Sequence, residues 1–482
     1  MRRVKPFTAE MELLDAASDG RAVARHNGQA IFVEGGVPGD IADVHVFRVQ
    51  KKVPIGKITS LKQASSHRID PQCVHFSDCS GCKWQHMSYD AQLHYKEKQV
   101  HDILQRIGKM DIGEALPILG VEGAPFYYRN KLEFSFSQRA WRTDKDLEHA
   151  ESFDERVLGY HAPRVFDKVL NIDECLLMPG IVNDIRNAVR TFTRQEEIPF
   201  YNIRENTGLL RTLAFRSTKD GKQLMVALII AEEKPDVINR IFTFLSETFP
   251  QITQLVWVCN PKVNSVYNDL PYHIWKGDPY LIETLGEFQF HIRPVSFFQT
   301  NPHQAEKLYQ VIERFLTDTL PEGKAEHEMV YDLYCGTGSI GIFVSRLVKK
   351  IVGIEYIESA IEDAWENVRL NQLDESRFQF FAGDMKDILS IELEKGMGRP
   401  DVIIADPPRQ GMENKVIKQL LRLAPEFIIY VSCKPATQAR DMEKMSSLYE
   451  LVKIQPVDMF PHTAHVENVA LMKRRSEKNQ NK

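Results

Sequence analysis

The sequence predicts a multidomain protein that ends in a doubly wound α/β domain. The chain has 482 residues, which is too long for one hydrophobic core. Short strands punctuated by glycine and proline come first, and strands and helices without strict alternation follow from about residue 125. Regular strand–helix alternation begins at about residue 295. We therefore expect three domains, at residues 1–65, 66–294 and 295–475.

The composition excludes several classes of protein. Lys and Arg number 61 and Asp and Glu number 66, so the net charge is −5 and there is no overall basic excess to attract phosphate. Any contact with nucleic acid must come from a local patch. No stretch approaches the roughly 20 apolar residues that span a bilayer, and the N-terminal residues turn acidic too early for a signal peptide. The seven cysteines, an odd number, form no disulfide framework. We expect a cytoplasmic protein without membrane contact.

The N-terminal segment contains short strands separated by turn signals. QAIFVEGGVPGDIADVHVFRVQ (29–50) shows apolar alternation around the turn-rich EGGVPGD, and KKVPIGKITSLKQAS follows. This pattern predicts either a small β-barrel of the kind that binds oligonucleotides or another β-domain. Further along, SYDAQLHYKEKQVHDILQRIG (88–108) has apolar side chains at helical intervals and predicts a helix that ends near Gly108.

A cysteine cluster precedes that helix. CVHFSDCSGCKW contains Cys73, Cys79 and Cys82 with the spacing C-x5-C-x2-C, and Cys175 in NIDECLLMP is a candidate fourth ligand. Clustered thiols in a reducing compartment indicate a metal site. By spacing alone, zinc and an iron–sulfur cluster are comparable interpretations, because both accept four thiolates.

Polar or reactive side chains follow the strands of the α/β domain. In doubly wound sheets, ligands bind beyond the carboxyl ends of the strands. The residues at these ends are Cys335, Glu355, Asp384, Asp406 and Cys433. The glycines of YDLYCGTGSIG allow close approach of a ligand to the backbone. Glu355, 19 residues after Gly336, lies where an acid receives ribose hydroxyls. The ligand could be a dinucleotide or S-adenosylmethionine.

The segment IIADPPRQG (403–411) favours S-adenosylmethionine. An acid followed by two prolines forms a rigid loop with few donors, a feature of methyltransferases that act on planar nitrogenous substrates. Enzymes that modify exocyclic amines carry an aromatic residue after the prolines, and Arg409 in that position argues against an amine target. The alternative is that DPP is only a turn.

Cys433, in YVSCKPAT, is either a small buried residue or a nucleophile. A thiolate that adds to carbon 6 of a pyrimidine makes carbon 5 nucleophilic, and a base must then remove the carbon-5 proton. Lys434 could favour the thiolate electrostatically. In DMFPHTAHVENVALMKR (458–474), the candidate bases are His462, His465 and Glu467.

Five motifs in this order resemble those of the RNA uracil-5-methyltransferase family, which includes ribosomal RumA-type and transfer-RNA TrmA-type enzymes. They are SFFQTN, DLYCGTGSIG, DPPRQG, YVSCKPAT and FPHTAHVEN. The resemblance implies that Cys433 is the nucleophile, that Glu467 is the base and that His462 supports the site. It places the S-adenosylmethionine contacts on Gln299, Tyr334, Ser339, Glu355, Asp384 and Asp406.

The resemblance extends over nearly the whole chain. Residues 1–65 are similar to the TRAM domain of the RumA-type branch, an RNA-binding barrel of the oligonucleotide-binding type, with candidate RNA contacts at Arg48, Lys51, Lys52 and Lys57. In that branch the same cysteine arrangement holds a [4Fe–4S] cluster, which favours Cys73, Cys79, Cys82 and Cys175 as cluster ligands and makes zinc the weaker alternative. The likeness also implies that helix 88–108 packs on the Rossmann-like catalytic domain.

Together these features predict a monomeric enzyme that forms 5-methyluridine in a loop of 23S ribosomal RNA. The barrel and the cluster favour ribosomal RNA, because transfer-RNA enzymes of the TrmA type generally lack both. Three alternatives stay open: a transfer-RNA uracil-5-methyltransferase, a cytosine-5 RNA methyltransferase, and a non-catalytic RNA-binding iron–sulfur protein.

Overall fold

The first domain is a closed barrel of five strands in the order β1-β2-β3-β5-β4. The computed structural model describes residues 5–50, 52–148, 153–389 and 391–476. The barrel strands are β1 (Phe7–Ala16), β2 (Ala22–His26), β3 (Gln29–Glu34), β4 (Ile41–Gln50) and β5 (Val53–Gln63). Met11 and Leu13 of β1 are buried, since alternate side chains of a strand point to the same face. The predicted barrel is confirmed.

Of the basic residues predicted to contact RNA, Arg48 lies in β4, Lys57 lies in β5 and Lys52 directly precedes β5. Arg48 forms an ion pair with Glu34 at 3.2 Å, and Lys52 and Lys57 are exposed. Lys51 lies outside the described residues. After the barrel come the cysteine-rich segment, helix α1 (Tyr89–Arg106) and the short strand β6 (Glu114–Ala115).

The central domain is built on an eight-stranded sheet in the order β14-β13-β12-β11-β7-β9-β10-β8. Its elements are β7 (Lys131–Ser137), β8 (Ala140–Trp141), α2 (Asp144–Glu148), β9 (Val157–His161), β10 (Val169–Asn171), α3 (Gly180–Gln195), β11 (Leu210–Ser217), β12 (Leu224–Ile230), α4 (Pro235–Thr248), β13 (Gln254–Cys259) and β14 (Tyr272–Lys276). Buried side chains of α3 and α4, such as Ile185 and Phe242, pack in one cluster with the sheet. The hairpin of β15 (Leu281–Leu285) and β16 (Phe288–Ile292) then leads to the C-terminal domain.

The C-terminal sheet has eight strands in the order β19-β18-β17-β20-β21-β23-β22-β6. The elements are α5 (Pro302–Asp318), β17 (His327–Leu333), α6 (Ser339–Phe343), β18 (Val348–Glu355), α7 (Glu358–Leu370), β19 (Phe378–Ala382), α8 (Met385–Ile388), α9 (Ile391–Met397), β20 (Val402–Ala405), α10 (Asn414–Leu423), β21 (Phe427–Ser432), α11 (Pro435–Met445), β22 (Tyr449–Val457) and β23 (Glu467–Arg474). Strands β17 to β21 are parallel, whereas β23 runs antiparallel to both β21 and β22.

The two faces of this sheet are covered by different helices. Val330 and Ile404 pack with α5 and α7 on one face, and Tyr331 and Ile403 pack with α10 and α11 on the other. Because side chains alternate along each strand, neighbouring residues enter opposite layers. This is the doubly wound arrangement that the alternation of strands and helices predicted.

Helix α1 precedes the central domain in the chain but lies against the C-terminal one. Val100 and Leu104 belong to the same hydrophobic cluster as Ala439 and Met442 of α11. Strand β6 adds to the C-terminal sheet by parallel pairing with β22. In the part of the chain that the structure describes, no helix has the length and apolar character needed to cross a membrane.

Candidate active site

Cys433 and Glu467 are brought together by the register of two antiparallel strands. The last pair of the β21–β23 ladder is Ser432 with Asn468. Cys433 directly follows β21 and Glu467 is the first residue of β23. If the register continued by one residue, these two residues would be opposite each other. The Glu467 carboxylate raises the pKa of the Cys433 thiol, so the two groups lie close together at the end of the sheet, near the start of α11.

Two further charged side chains surround this pair. Asp406 follows β20, which pairs with β21, and it is half-buried. Burial raises the pKa of Asp406 to about 6. Arg409, three residues later, is exposed and donates a hydrogen bond to Nδ1 of His465 (3.3 Å). One carboxyl group and one guanidinium cation thus flank the thiol.

The protonation states of the central pair follow from burial and from the neighbouring charges. The pKa of Cys433 is raised to about 11, first by burial and then by the carboxylates of Glu467 and Asp406. The pKa of Glu467 is raised well above its ordinary value by burial and by Asp406. The charge of Arg409 opposes both shifts. In the free protein near neutral pH, the Cys433 thiol is therefore protonated, and burial favours the neutral form of the Glu467 carboxyl group.

The glycine-rich loop after β17 positions Glu355. The two carboxylate oxygens of Glu355 accept hydrogen bonds from the N–H groups of Gly336 (3.2 Å) and Ile357 (3.0 Å). Gly336 and Gly338 have φ values of 53° and 75°, a region that favours glycine. The loop thus fixes the orientation of the acid predicted to receive ribose hydroxyls.

The other predicted cofactor contacts lie at the same edge of the sheet. Asp384 directly precedes α8, and its carboxylate accepts a hydrogen bond from the N–H of Lys386 (3.1 Å). Burial and nearby carboxylates, including Asp384 and Glu355, raise the pKa of Tyr334. These three residues therefore lie near one another.

Ser339 and Gln299 are less directly joined to that group. The hydroxyl of Ser339 is hydrogen-bonded to that of buried Tyr309 (2.7 Å). Gln299 is half-buried, and among the described residues its side chain makes no hydrogen bond, although its carbonyl accepts one from Asn130 (3.2 Å).

Asp332 is a site residue that the sequence reasoning missed. It is buried in β17, and one carboxylate oxygen accepts a hydrogen bond from the N–H of Gly341 (2.9 Å), while the other has no partner among the described residues. Burial raises its pKa to about 7, with contributions from Asp406 and Glu355. The signal was present in MVYDLYC, where one acid interrupts an otherwise apolar strand.

His462, one of the three candidate bases, is buried against Phe126 and helix α1. Its ring is tilted by 30° against that of Phe126, with centroids 4.4 Å apart, and its backbone N–H donates to Oε1 of Gln92 (2.8 Å). Burial, together with the charge of Lys96, lowers its pKa to about 4. The imidazole is neutral at physiological pH.

The four predicted ligand cysteines line one cavity of about 150 Å³: Cys73, Cys79, Cys82 and Cys175. Burial raises the pKa of Cys79 to about 12 and that of Cys82 to about 11, and the neighbouring thiols add to both shifts. Among the described residues, no group of three or more His, Cys, Asp or Glu side chains is arranged to hold a metal ion. The four thiols border one common space.

The doubly wound sheet, its glycine loop and the acids at its strand ends define a methyltransferase fold that binds S-adenosylmethionine. Comparisons with known proteins specify the class further. The family model described as tRNA (Uracil-5-)-methyltransferase matches residues 284–475, and the TRAM domain model matches residues 8–59.

Two relatives that match along their whole length are named RNA methyltransferases. An "Uncharacterized RNA methyltransferase" of Bacteroides thetaiotaomicron is 42% identical over 462 residues, 95% of this chain and 100% of the relative. One of Porphyromonas gingivalis is 42% identical over 475 residues, 97% and 100% of the two chains. The chain belongs to the RNA uracil-5-methyltransferase family, as the motifs predicted.

A solved structure matches over the same extent. The Pyrococcus abyssi tRNA (uracil-54, C5)-methyltransferase in complex with S-adenosyl-L-homocysteine is 28% identical, with a TM-score of 0.73. The match covers 96% of this chain and 100% of that chain, so it includes the barrel.

Proposed function

We propose that this protein transfers a methyl group to carbon 5 of a uridine in RNA, with Cys433 as the nucleophile and Glu467 as the base. The observation that supports the proposal is the end of the β21–β23 ladder, where Cys433 and Glu467 are the next residues and the Glu467 carboxylate raises the pKa of the Cys433 thiol. A nucleophile and a base that lie close together are what a covalent route at carbon 5 requires. The target uridine must leave its stack to reach Cys433.

The cofactor is held at the carboxyl edge of the sheet. The proposed contacts are Gln299, Tyr334, Ser339, Glu355, Asp384 and Asp406. The Glu355 carboxylate, fixed by two backbone N–H groups, suits ribose hydroxyls, and the partnerless oxygen of Asp332 lies near Asp406 and Glu355 in the same acidic region. Bound there, S-adenosylmethionine supplies an electrophilic methyl group on a positively charged sulfur.

The first step is performed by the Cys433 sulfur. The thiol loses its proton to solvent, and the thiolate forms a bond to carbon 6 of the uracil. The electron pair of the C5–C6 double bond moves to carbon 5, which takes the methyl group, and the electron pair of the broken S–CH3 bond would stay on the cofactor sulfur. Positive charge next to the sulfur favours its ionisation, and Arg409 is in place to contribute this effect.

The last step is performed by Glu467. Its carboxylate removes the proton from carbon 5, the electron pair restores the C5–C6 double bond, and the C6–S bond breaks to release Cys433 as a thiolate. A carboxyl group whose pKa is raised by burial is a stronger base than an exposed one, once it is ionised.

RNA carrying 5-fluorouridine tests this mechanism. Fluorine cannot leave carbon 5 as a cation, so the methylated adduct should be trapped on the protein. We expect a covalent complex that requires S-adenosylmethionine and disappears in Cys433→Ala, while Cys259→Ala, at the end of β13 in the central sheet, still forms it. An adduct that persists in Cys433→Ala would contradict the proposal. Replacement of the target uridine by cytidine tests the cytosine-5 alternative, and absence of S-adenosylmethionine binding in equilibrium dialysis would favour the non-catalytic one.

We propose that the four cysteines around the central cavity hold a [4Fe–4S] cluster. Four thiols that border one cavity of about 150 Å³ support the proposal, because a [4Fe–4S] cluster takes four cysteine thiolates. A single zinc ion also takes four thiolates, so it is the alternative that analysis of iron and sulfide must exclude. The transfer of a methyl group moves no electron through a metal, so the role of the cluster is structural.

For the substrate we propose a loop of 23S ribosomal RNA, in keeping with the cysteine site. Transfer RNA is the second candidate, because the Pyrococcus abyssi tRNA enzyme shares the whole architecture, barrel included. The barrel therefore does not separate the two RNAs. Mass mapping of both RNAs from cells with and without the gene decides: loss of a 5-methyluridine from ribosomal RNA alone supports the first, and loss from transfer RNA alone replaces it.

A further inference from the structure

The loop that leads to Glu467 is fastened to helix α1 by a fully buried ion pair. We call residues 458–466, which join β22 to β23, the base loop. Nζ of Lys96 lies 2.5 Å from Oδ1 of Asp458, and both side chains are completely buried. The Tyr89 hydroxyl donates to Oδ2 of Asp458 (2.9 Å), and Lys96 also donates to the Phe460 carbonyl (3.0 Å). The mechanism above makes no use of this pair.

A second set of hydrogen bonds holds the middle of the base loop. The buried side chain of Gln92, one helical turn before Lys96, accepts from the N–H of His462 through Oε1 (2.8 Å), and its Nε2 lies 3.2 Å from Nδ1 of the same histidine. The N–H groups of Lys83 and Trp84 donate to the His462 carbonyl (2.7 and 3.0 Å). His462 has a φ of 63°, a conformation that non-glycine residues adopt only when the surroundings impose it.

These contacts reach Glu467 through the β22–β23 ladder. Glu467 pairs with Val457, and Asp458 is the residue after Val457. The Lys96–Asp458 pair thus anchors the loop immediately beside the cross-strand partner of the base. Each of the two buried charges must keep its hydrogen bonds. These bonds constrain both the distance and the relative orientation of Lys96 and Asp458.

We propose that Lys96 is a positioning residue, which, with Asp458, holds the base loop so that Glu467 stays opposite Cys433. The inference rests on the proposed function. Glu467 acts only after the methyl group has been transferred, when it takes the proton from carbon 5 and the C6–S bond breaks. Misplacement of Glu467 therefore slows the release of Cys433 and leaves the binding of both substrates unchanged.

The double variant Lys96→Met with Asp458→Asn tests this inference, since it removes both charges and leaves neither unpaired in the interior. With ordinary uridine RNA, we expect kcat to fall roughly tenfold and KM to fall with it, so that kcat/KM stays within about twofold, because only a step after methyl transfer is slowed. The methylated covalent complex, measured on denaturing gels, should accumulate severalfold over wild type. Tyr89→Phe, which removes one hydrogen bond to Asp458, should show the same signature to a smaller degree and serves if the double variant does not fold.

Tyr449→Phe is the matched control. It removes a buried hydrogen bond to the Pro425 carbonyl (2.8 Å) at the opposite end of β22, and it should leave the covalent fraction unchanged. A fall in kcat without accumulation of the complex, in whichever variant folds, overturns the positioning role. A wild-type protein that forms neither 5-methyluridine nor any adduct overturns the proposed function itself.

Discussion

Cys433 and Glu467 directly follow the last pair of the β21–β23 ladder, Ser432–Asn468, and the Glu467 carboxylate raises the pKa of the Cys433 thiol. The strands are neighbours in the sheet, so their register brings the two residues close together. Burial raises the pKa of both groups, because it disfavours a thiolate and a carboxylate alike. In the free protein at neutral pH the thiol, with a pKa of about 11, is therefore protonated.

Glu467→Gln should stop the reaction after methyl transfer. An amide cannot accept the carbon-5 proton, so turnover should fall about 10²- to 10⁴-fold, while a covalent complex with ordinary uridine RNA accumulates. Since burial raises the pKa of Glu467 and favours its neutral form, the isosteric amide should change the melting temperature little. Single-turnover assays with denaturing gels measure both quantities. Normal turnover in this variant would transfer the role of base to another group, with His465 the first to examine.

Alkylation of Cys433 by iodoacetamide should depend steeply on pH. Only the thiolate reacts, and its pKa is raised to about 11. Below that pH the rate should increase about tenfold for each pH unit, and it should level off only near pH 11. Peptide mass spectrometry follows the Cys433 peptide apart from the other six cysteines.

The charge of the cofactor should shift this profile. S-Adenosylmethionine carries a positive sulfur and should lower the apparent pKa of Cys433, whereas S-adenosylhomocysteine, with a neutral sulfur in the same site, should lower it less. Equal profiles with the two ligands would show that the cofactor sulfur is remote from Cys433. A plateau near pH 8.5 in the free protein would show that the thiol is exposed.

Arg409→Met should slow the alkylation of Cys433 at a fixed pH by about threefold to tenfold. Arg409 is the cation with the largest effect on the pKa of Cys433, and it lowers that pKa. Its removal raises the pKa and leaves less thiolate. Lys434→Met is the control: it removes a positive charge adjacent in sequence and should have the smaller effect. The reverse order of the two variants would contradict this account.

The sequence pattern predicted the helices, the strands and the residues at the strand ends. It did not predict which charged side chains would surround Cys433 and Glu467. Alternating strands and helices predicted the doubly wound sheet, and parallel strands end at one edge, so Glu355, Asp406 and Cys433 could be assigned to it. Lys434 was predicted to favour the thiolate because it is adjacent in the chain. Arg409 has the larger effect because neighbouring strands β20 and β21 bring it close.

Contacts between segments that are distant in the chain could not be predicted either, because it is the fold that brings such segments together. Lys96 and Asp458 are 362 residues apart, and periodicity identified α1 as a helix without showing which loop its buried lysine would meet. The acid Asp332 differs, since its position within an apolar strand was visible in the sequence and only its importance was overlooked.

The last prediction concerns the cysteine cavity. Cys79→Ser or Cys175→Ser should remove iron and sulfide together, because each side chain lines the one cavity and a serine hydroxyl is a poor ligand for iron in place of a thiolate. Anaerobically prepared wild type should contain about four iron and four sulfide per chain, with the visible absorbance of a cluster. Cys259→Ser, outside the cavity, should keep both. One zinc per chain without sulfide would replace the cluster by a mononuclear site, and Cys79→Ser with full iron content would exclude this cavity as its location.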